Sequence, residues 1–150
     1  MKKYLWGLAC LLLLAACKEQ EDQDVIDEGI IQEYITNNGL DAVATGTGLY
    51  HVIQDTGLSG RPDLTSTVRA YYTGRLTDGT VFDEAQSPNT PLEIPLANLI
   101  PGWQEGLQLI GKNGRQTLLI PSALGYGSRA VGSIPSNSVL VFDIELLDYF

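Results

Sequence analysis

Cysteine is almost missing from this chain. Only Cys10 and Cys17 occur, both close to the amino terminus, so no pair is available to staple a folded domain and no Cys/His cluster can hold zinc. Histidine is rarer still: His51 is the only one, so Ser-His-Asp or Cys-His catalysis would hang on it alone. No G-x-S-x-G elbow accompanies it, and it reads as a strand residue. Basic charge is also short, with 9 Lys and Arg against 18 Asp and Glu, a net charge of −9 and a pI near 4.3. That balance argues against a nucleic-acid partner and against electrostatic attachment to anionic lipid. No metal and no cofactor is expected. What is present, 150 residues at 44% hydrophobic content, suffices for one domain with appendages and a real core.

Three further patterns suggest chemistries that their surroundings do not support. Gly125-Tyr126-Gly127-Ser128-Arg129-Ala130 fits G-x-G-x-x-A, but Val131-Gly132-Ser133-Ile134-Pro135 follows where a dinucleotide site needs a helix start. The acidic pairs Asp83-Glu84 and Asp143 with Glu145 raise glycoside hydrolysis, yet Asp143 and Glu145 fall opposite the Phe142 row and read as a solvated edge.

The amino terminus has a leader layout: Lys2-Lys3, a short apolar run from Tyr4 to Ala16, then small residues. The run is too short to cross a membrane and stay. Leu14-Ala15-Ala16-Cys17 resembles a bacterial lipobox, which implies lipidation of Cys17 and anchoring in the cell envelope, with the outer membrane expected and its face undetermined. The expected division is a leader over 1–16, an acidic mobile tether over 17–24, a helix with leading strands over 25–64, and the main domain over 65–150. Ile26, Ile30, Tyr34 and Ile35 recur at helical spacing and Asn38-Gly39 stops them, predicting a helix from Val25 to Asn37. It can pack on the domain or pair with a second copy.

The rest reads as short strands around one helix. Leu49 to Gln54 is a strand, and Thr67 to Arg75 alternates with Val68, Ala70, Tyr72 and Gly74 inward. An Asp78-Gly79 hairpin turn sets Leu76 against Val81 and Gly74 against Asp83, which puts Asp83 diagonally beside Tyr72. A carboxylate on an inward face must be hydrogen-bonded, and the Tyr72 hydroxyl is a ready donor. The same count exposes Phe82, so a bulge near Phe82 to Glu84 is expected to turn both side chains to one cavity. Leu92-Glu93-Ile94, Gly114 to Ile120 and Ser138 to Tyr149 are further strands. Pro101 suits a first helical position, and Trp103, Leu107 and Ile110 form one stripe. Gly106 lets a facing sheet come close, and Gly111 with Asn113-Gly114 ends the helix. The expected class is α+β: a twisted antiparallel half-barrel wrapped around one short helix.

Read together, Tyr71-Tyr72-Thr73-Gly74, Asp78-Gly79-Thr80-Val81-Phe82-Asp83, Ile100-Pro101-Gly102-Trp103-Gln104-Glu105-Gly106-Leu107, Ala123-Leu124-Gly125-Tyr126-Gly127, Ile134-Pro135 and Leu140-Val141-Phe142-Asp143-Ile144-Glu145-Leu146-Leu147 resemble the FK506-binding-protein class of peptidyl-prolyl cis-trans isomerases, in its exported bacterial branch. The match runs in unbroken order from about Ser66 to Tyr149. The resemblance implies Trp103 as a pocket floor. Catalytic roles fall to Tyr72, Asp83, Ile100, Trp103 and Tyr126, and substrate contacts to Phe82, Leu92, Ile94, Leu99, Ile134 and Phe142. Leu92 and Ile94 stand where many members carry aromatics, and Ser133 where an aliphatic is common. Those departures imply a roomier pocket, weaker for macrolide inhibitors than for turnover.

The implied substrate is a proline-containing polypeptide, and no nucleophile is required. Trp103→Ala or Asp83→Ala is expected to depress turnover with the fold largely intact. Two other readings compete: a holdase that grips unfolded chains with little turnover, and an adaptor homodimerising through the Val25 to Asn37 helix.

Overall fold

The computed structural model describes residues 5–150, with side chains from residue 22 onward. Helix α1 (Leu5–Asn38) is followed by β1 (Val43–Ala44), β2 (Tyr50–Asp55), β3 (Thr67–Leu76), β4 (Val81–Ala85), β5 (Leu92–Pro95), α2 (Pro101–Leu107), β6 (Gly114–Ile120) and β7 (Leu140–Tyr149). Short 3-10 turns at Leu96–Asn98 and Ser122–Leu124 lie before α2 and after β6. The leader over 1–16 and the Cys17 thiol fall outside the residues whose side chains are described. No helix among the described residues is long and apolar enough to cross a membrane.

All seven strands join one antiparallel sheet in the order β1-β2-β6-β7-β3-β4. The remaining edge of β3 is shared: β5 pairs its first half, Thr67 to Ala70, and β4 its second, Tyr72 to Arg75. The inward row is the expected one, since Val68, Ala70 and Tyr72 are buried and join Leu118, Ile120, Leu140, Phe142, Ile144 and Leu146 in one cluster. Trp103, Leu107 and Ile110 fill it from α2 and the residues just beyond it. The helix itself stops at Leu107, earlier than the stripe suggested, and Ile110 is buried past its end.

Because side chains alternate along a strand, Leu119 and Val141 point to the other face. There they meet Ile31 of α1 and Val139, flanked by Ile30, Tyr34 and Tyr50. The amino-terminal helix therefore packs on its own domain. It is also longer than expected and continues through 18–24, where a tether was anticipated; Lys, Glu and Gln in that stretch are good helix formers and do not interrupt it. Asp143 is likewise not simply solvated: it is ion-paired with Arg75 and accepts a hydrogen bond from Thr117 Oγ1 at 2.6 Å.

The β3–β4 hairpin departs from the expected turn by one residue and then recovers. Leu76 N donates to Thr80 O at 2.9 Å and Gly79 N to Leu76 O at 3.0 Å, so the loop spans Thr77, Asp78 and Gly79, with Gly79 at φ +91°. Arg75 consequently faces Val81, while Gly74 still faces Asp83. The extra residue is Phe82, placed in a bulge. One slip at the turn and one bulge in the strand cancel, and the Gly74–Asp83 register survives.

Candidate active site

Helix α2 can lie low on the sheet because two of its residues have no side chain. A Cβ on Gly102 would sit 2.6 Å from Ile120 Cγ2, and one on Gly106 2.5 Å from Leu118 Cδ1. Gln116 Nε2 donates to Gly106 O at 2.7 Å inside that contact. At its start, Gln104 Nε2 donates to Leu99 O at 2.7 Å and to Ala97 O at 3.1 Å, tying the helix to the segment that delivers Leu99 and Ile100.

Trp103 is thereby held edge-on between two other rings. Its centroid lies 5.2 Å from Tyr72 at 88° and 5.3 Å from Phe142 at 86°. Phe82 packs against Phe142 at 5.4 Å and 81°. Such edge-to-face pairs each add about 0.5–1.5 kcal/mol beyond area burial and fix ring orientation. Gly74 makes the arrangement possible, because a Cβ there would come within 2.6 Å of both Phe142 and Phe82.

Over these rings opens a cleft of about 210 Å³ lined by Tyr72, Asp83, Leu92, Leu99, Ile100, Trp103 and Phe142, together with Asn98, which sequence reasoning did not single out. The Tyr72 hydroxyl donates to Asp83 Oδ2 at 2.6 Å, as the hairpin count required. Burial, then the bond to Asp83 and its charge, push the Tyr72 phenol far above its ordinary value, so it remains a neutral donor. Tyr126 is raised in the same direction, chiefly by burial and then by the Asp83 charge, which sets its phenol in the field of that carboxylate.

Four expected site residues, Phe82, Ile94, Ile134 and Tyr126, are not among those lining this cleft, and all four pack in or against the main cluster. Ile134 is 5% exposed and joins the main cluster, its backbone closing a bridge with Val131. Ile94 pairs with Val68 and packs on the core from the sheet edge, and Phe82 backs Phe142. Asn98 carried no distinguishing signal in the sequence, and Gln104 stood in the quoted motif with no role assigned to it. A second cleft, about 330 Å³, is lined largely from the opposite sheet face by Tyr71, Arg115, Asp143 and Glu145 and has no comparable cup of aromatic rings.

A family profile described as FKBP-type peptidyl-prolyl cis-trans isomerase matches residues 59–147. The chain belongs to this family. It is 39% identical over 133 residues to the FKBP-type peptidyl-prolyl cis-trans isomerase FkpA of Aeromonas hydrophila, covering 87% of this chain and 50% of that one. It is also 39% identical over 136 residues to the FKBP-type 22 kDa peptidyl-prolyl cis-trans isomerase of Escherichia coli, covering 89% and 65%. The chain thus spans between half and two thirds of the length of these relatives. Among solved structures it resembles the crystal structure of FkpA from Escherichia coli, with a TM-score of 0.75 at 35% identity over 99% of this chain and 70% of that one.

For an FKBP-type domain with this packing, the expectation that Trp103→Ala spares the fold needs revision. Trp103 is 3% exposed and central to the core cluster, so truncating it costs about 3–5 kcal/mol, a large share of a domain's stability.

Proposed function

We propose that the domain catalyses cis-trans rotation of X–Pro peptide bonds and assists folding of exported proteins in the bacterial cell envelope. The observation that carries this is the aromatic cup over Trp103, whose rim holds Asp83 bonded to the Tyr72 hydroxyl. Rotation of an X–Pro amide faces a barrier of roughly 18–20 kcal/mol because it breaks resonance between nitrogen and carbonyl. No bond needs to be made or cleaved. A dry cup favours the twisted amide, which is less dependent on water at its oxygen, and lowering the barrier by about 7 kcal/mol gives about 10⁵-fold in rate.

In this reading the prolyl ring rests on Trp103 among Tyr72, Leu92, Leu99 and Phe142, with Phe82, Ile94 and Ile134 bracing the wall. The Ile100 N–H, at the cap of α2, and the Tyr126 hydroxyl hold flanking carbonyls. Asp83 sets the polarity beside the rotating carbonyl, and Tyr72 holds it in place. The same proposal has Cys17 lipidated, supported by Leu14-Ala15-Ala16-Cys17, with residues 1–16 removed and the domain on the outer membrane. It also has α1 pairing with a second copy through Val25 and Ile26, which are 74% and 53% exposed; the solution mass of Val25→Glu against wild type tests that part.

The activity is tested by measuring isomerisation of short peptides that differ in the residue before proline. Asp83→Ala is expected to lower kcat/KM by about tenfold or more across the series. Equal rates for the variant and wild type would remove Asp83 from the site, and no rate enhancement by wild type would end the isomerase reading.

A further inference from the structure

Helix α1 reaches the segment that carries Tyr126 through a contact that the isomerase reading leaves unused. Asp27 is completely buried. Its Oδ2 accepts from Ser122 N at 2.7 Å and from Ser122 Oγ at 2.6 Å, and its Oδ1 accepts from Gln23 Nε2 at 2.7 Å. Removing a carboxylate from water costs several kcal/mol unless it is well bonded. Docking of the helix does not call for such a group, because Ile31, Leu119, Val139 and Val141 already form an apolar contact there. What Asp27 adds is a fixed start for the 3-10 turn Ser122–Leu124. The residue before that turn is Pro121, whose side chain makes no capping hydrogen bond. Asp27 supplies the missing acceptor from 95 residues away.

Ser122 passes the constraint on. Its carbonyl accepts from Gly125 N at 3.0 Å and from Gly127 N at 2.8 Å, the two neighbours of Tyr126 in the chain. Gly127, at φ +61°, in turn accepts from Asn137 N at 2.8 Å. Tyr126 is thus suspended between two amides bound to one oxygen, and that oxygen belongs to the residue Asp27 grips. We propose that Asp27 is a positioning residue for the isomerase site: by clamping Ser122 it holds the arm that presents Tyr126, so α1 tunes the cleft without touching substrate. The inference rests on the isomerase reading and adds to it a control point on the far face of the sheet.

The test uses the full chain and two readouts, kcat/KM on a proline peptide and amide hydrogen exchange at Gly125 and Gly127. Asp27→Ala is expected to lower kcat/KM about tenfold through misplacement of Tyr126. Asp27→Asn, which keeps an oxygen for Ser122, is expected to recover most of that loss. In a Tyr126→Ala background, Asp27→Ala should change the rate by less than about twofold, because both substitutions disable the same contact. Exchange at Gly125 and Gly127 should quicken while that at Leu118, in the sheet centre, does not. An equal loss in both backgrounds, or unchanged exchange at Gly127, overturns the proposal. Should Asp27→Ala fail to fold, Ser122→Ala removes only the 2.6 Å hydroxyl bond; a loss of about threefold that disappears in the Tyr126→Ala background supports the clamp, and no loss refutes it. If wild type shows no isomerase activity, that result removes the enzymatic reading, whereas the exchange data separately decide whether Asp27 holds the arm.

Discussion

The two faces of the sheet are packed by helices of opposite character. On one, the seven-residue α2 is sunk into a large apolar cluster, its glycines pressed against Leu118 and Ile120 and its Trp103 enclosed by two rings. On the other, α1 rests on the small cluster of Ile31, Leu119, Val139 and Val141 and is fixed by polar contacts, Asp27 to Ser122 and Glu28 to the Tyr50 hydroxyl at 2.7 Å. Dense aromatic packing leaves a rigid concave surface where the sheet edge opens. Sparse packing with directional hydrogen bonds instead sets orientation, which suits a helix whose position matters more than its burial.

Substitutions on the two faces should differ accordingly. The largest effect belongs to the α2 face: Trp103→Ala is expected to destabilise by about 3–5 kcal/mol in denaturant titrations and to abolish most turnover. Trp103→Phe, which keeps a ring, should separate the two effects by sparing stability more than rate. Gly74→Ala is expected to cost about 1–3 kcal/mol, because its Cβ meets Phe142 and Phe82 and the rings must move; the near-ultraviolet dichroism of the aromatic cluster should change with it. Asp83→Ala strands the Tyr72 hydroxyl and should cost about 1–3 kcal/mol, alongside its effect on rate.

On the α1 face, Ile31→Val is expected to cost only about 0.5–1.5 kcal/mol with kcat/KM unchanged. A rate loss from that substitution would blur the distinction between the faces.

The smallest effect is a pH dependence at His51. Burial holds its imidazole below the ordinary value, with the Glu105 charge acting the other way, and its Nδ1 has no hydrogen-bond partner among the described residues. With the folded value depressed, its contribution to stability is present above the unfolded value of about 6.5 and is lost as the pH falls from there through the folded value. Thermal unfolding of His51→Gln should therefore show less decline on acidification than wild type. Tyr72 and Tyr126 work in the opposite sense. Their raised values keep both phenols protonated up to and beyond the ordinary tyrosine range, so the isomerisation rate should show no alkaline limb below about pH 10.

Much of the α2 face was legible because strand alternation and one short turn act over a few residues. The pairing of Tyr72 with Asp83 followed from counting, and the bulge at Phe82 from the implausibility of an exposed aromatic. The count was right about Gly74 and Asp83 although the turn was longer by a residue, because the bulge restored the register. Asn98 was not singled out although Leu99 and Ile100 beside it were, because an asparagine just before a helix start reads as an ordinary turn residue. The α1 face was largely hidden. Helical spacing revealed an apolar stripe but not its partner, and nothing in the predicted Val25 to Asn37 helix set Asp27 apart. Its role depends on Ser122, a contact across 95 positions that no local pattern encodes. Ile94 and Ile134 show the reverse problem: motif position assigns them to the pocket, whereas Ile94 pairs with Val68 at the sheet edge, Ile134 is buried in the main cluster, and neither lines the cleft.

In the proposed reaction a proline ring rests on Trp103 while its peptide bond rotates. The most direct measurement is exchange spectroscopy on a proline peptide mixed with the full protein, following cis-trans exchange and the Trp103 indole N–H resonance together. Accelerated exchange with a saturable shift of that resonance is the predicted result. Exchange at the uncatalysed rate with the indole signal unmoved would contradict the account.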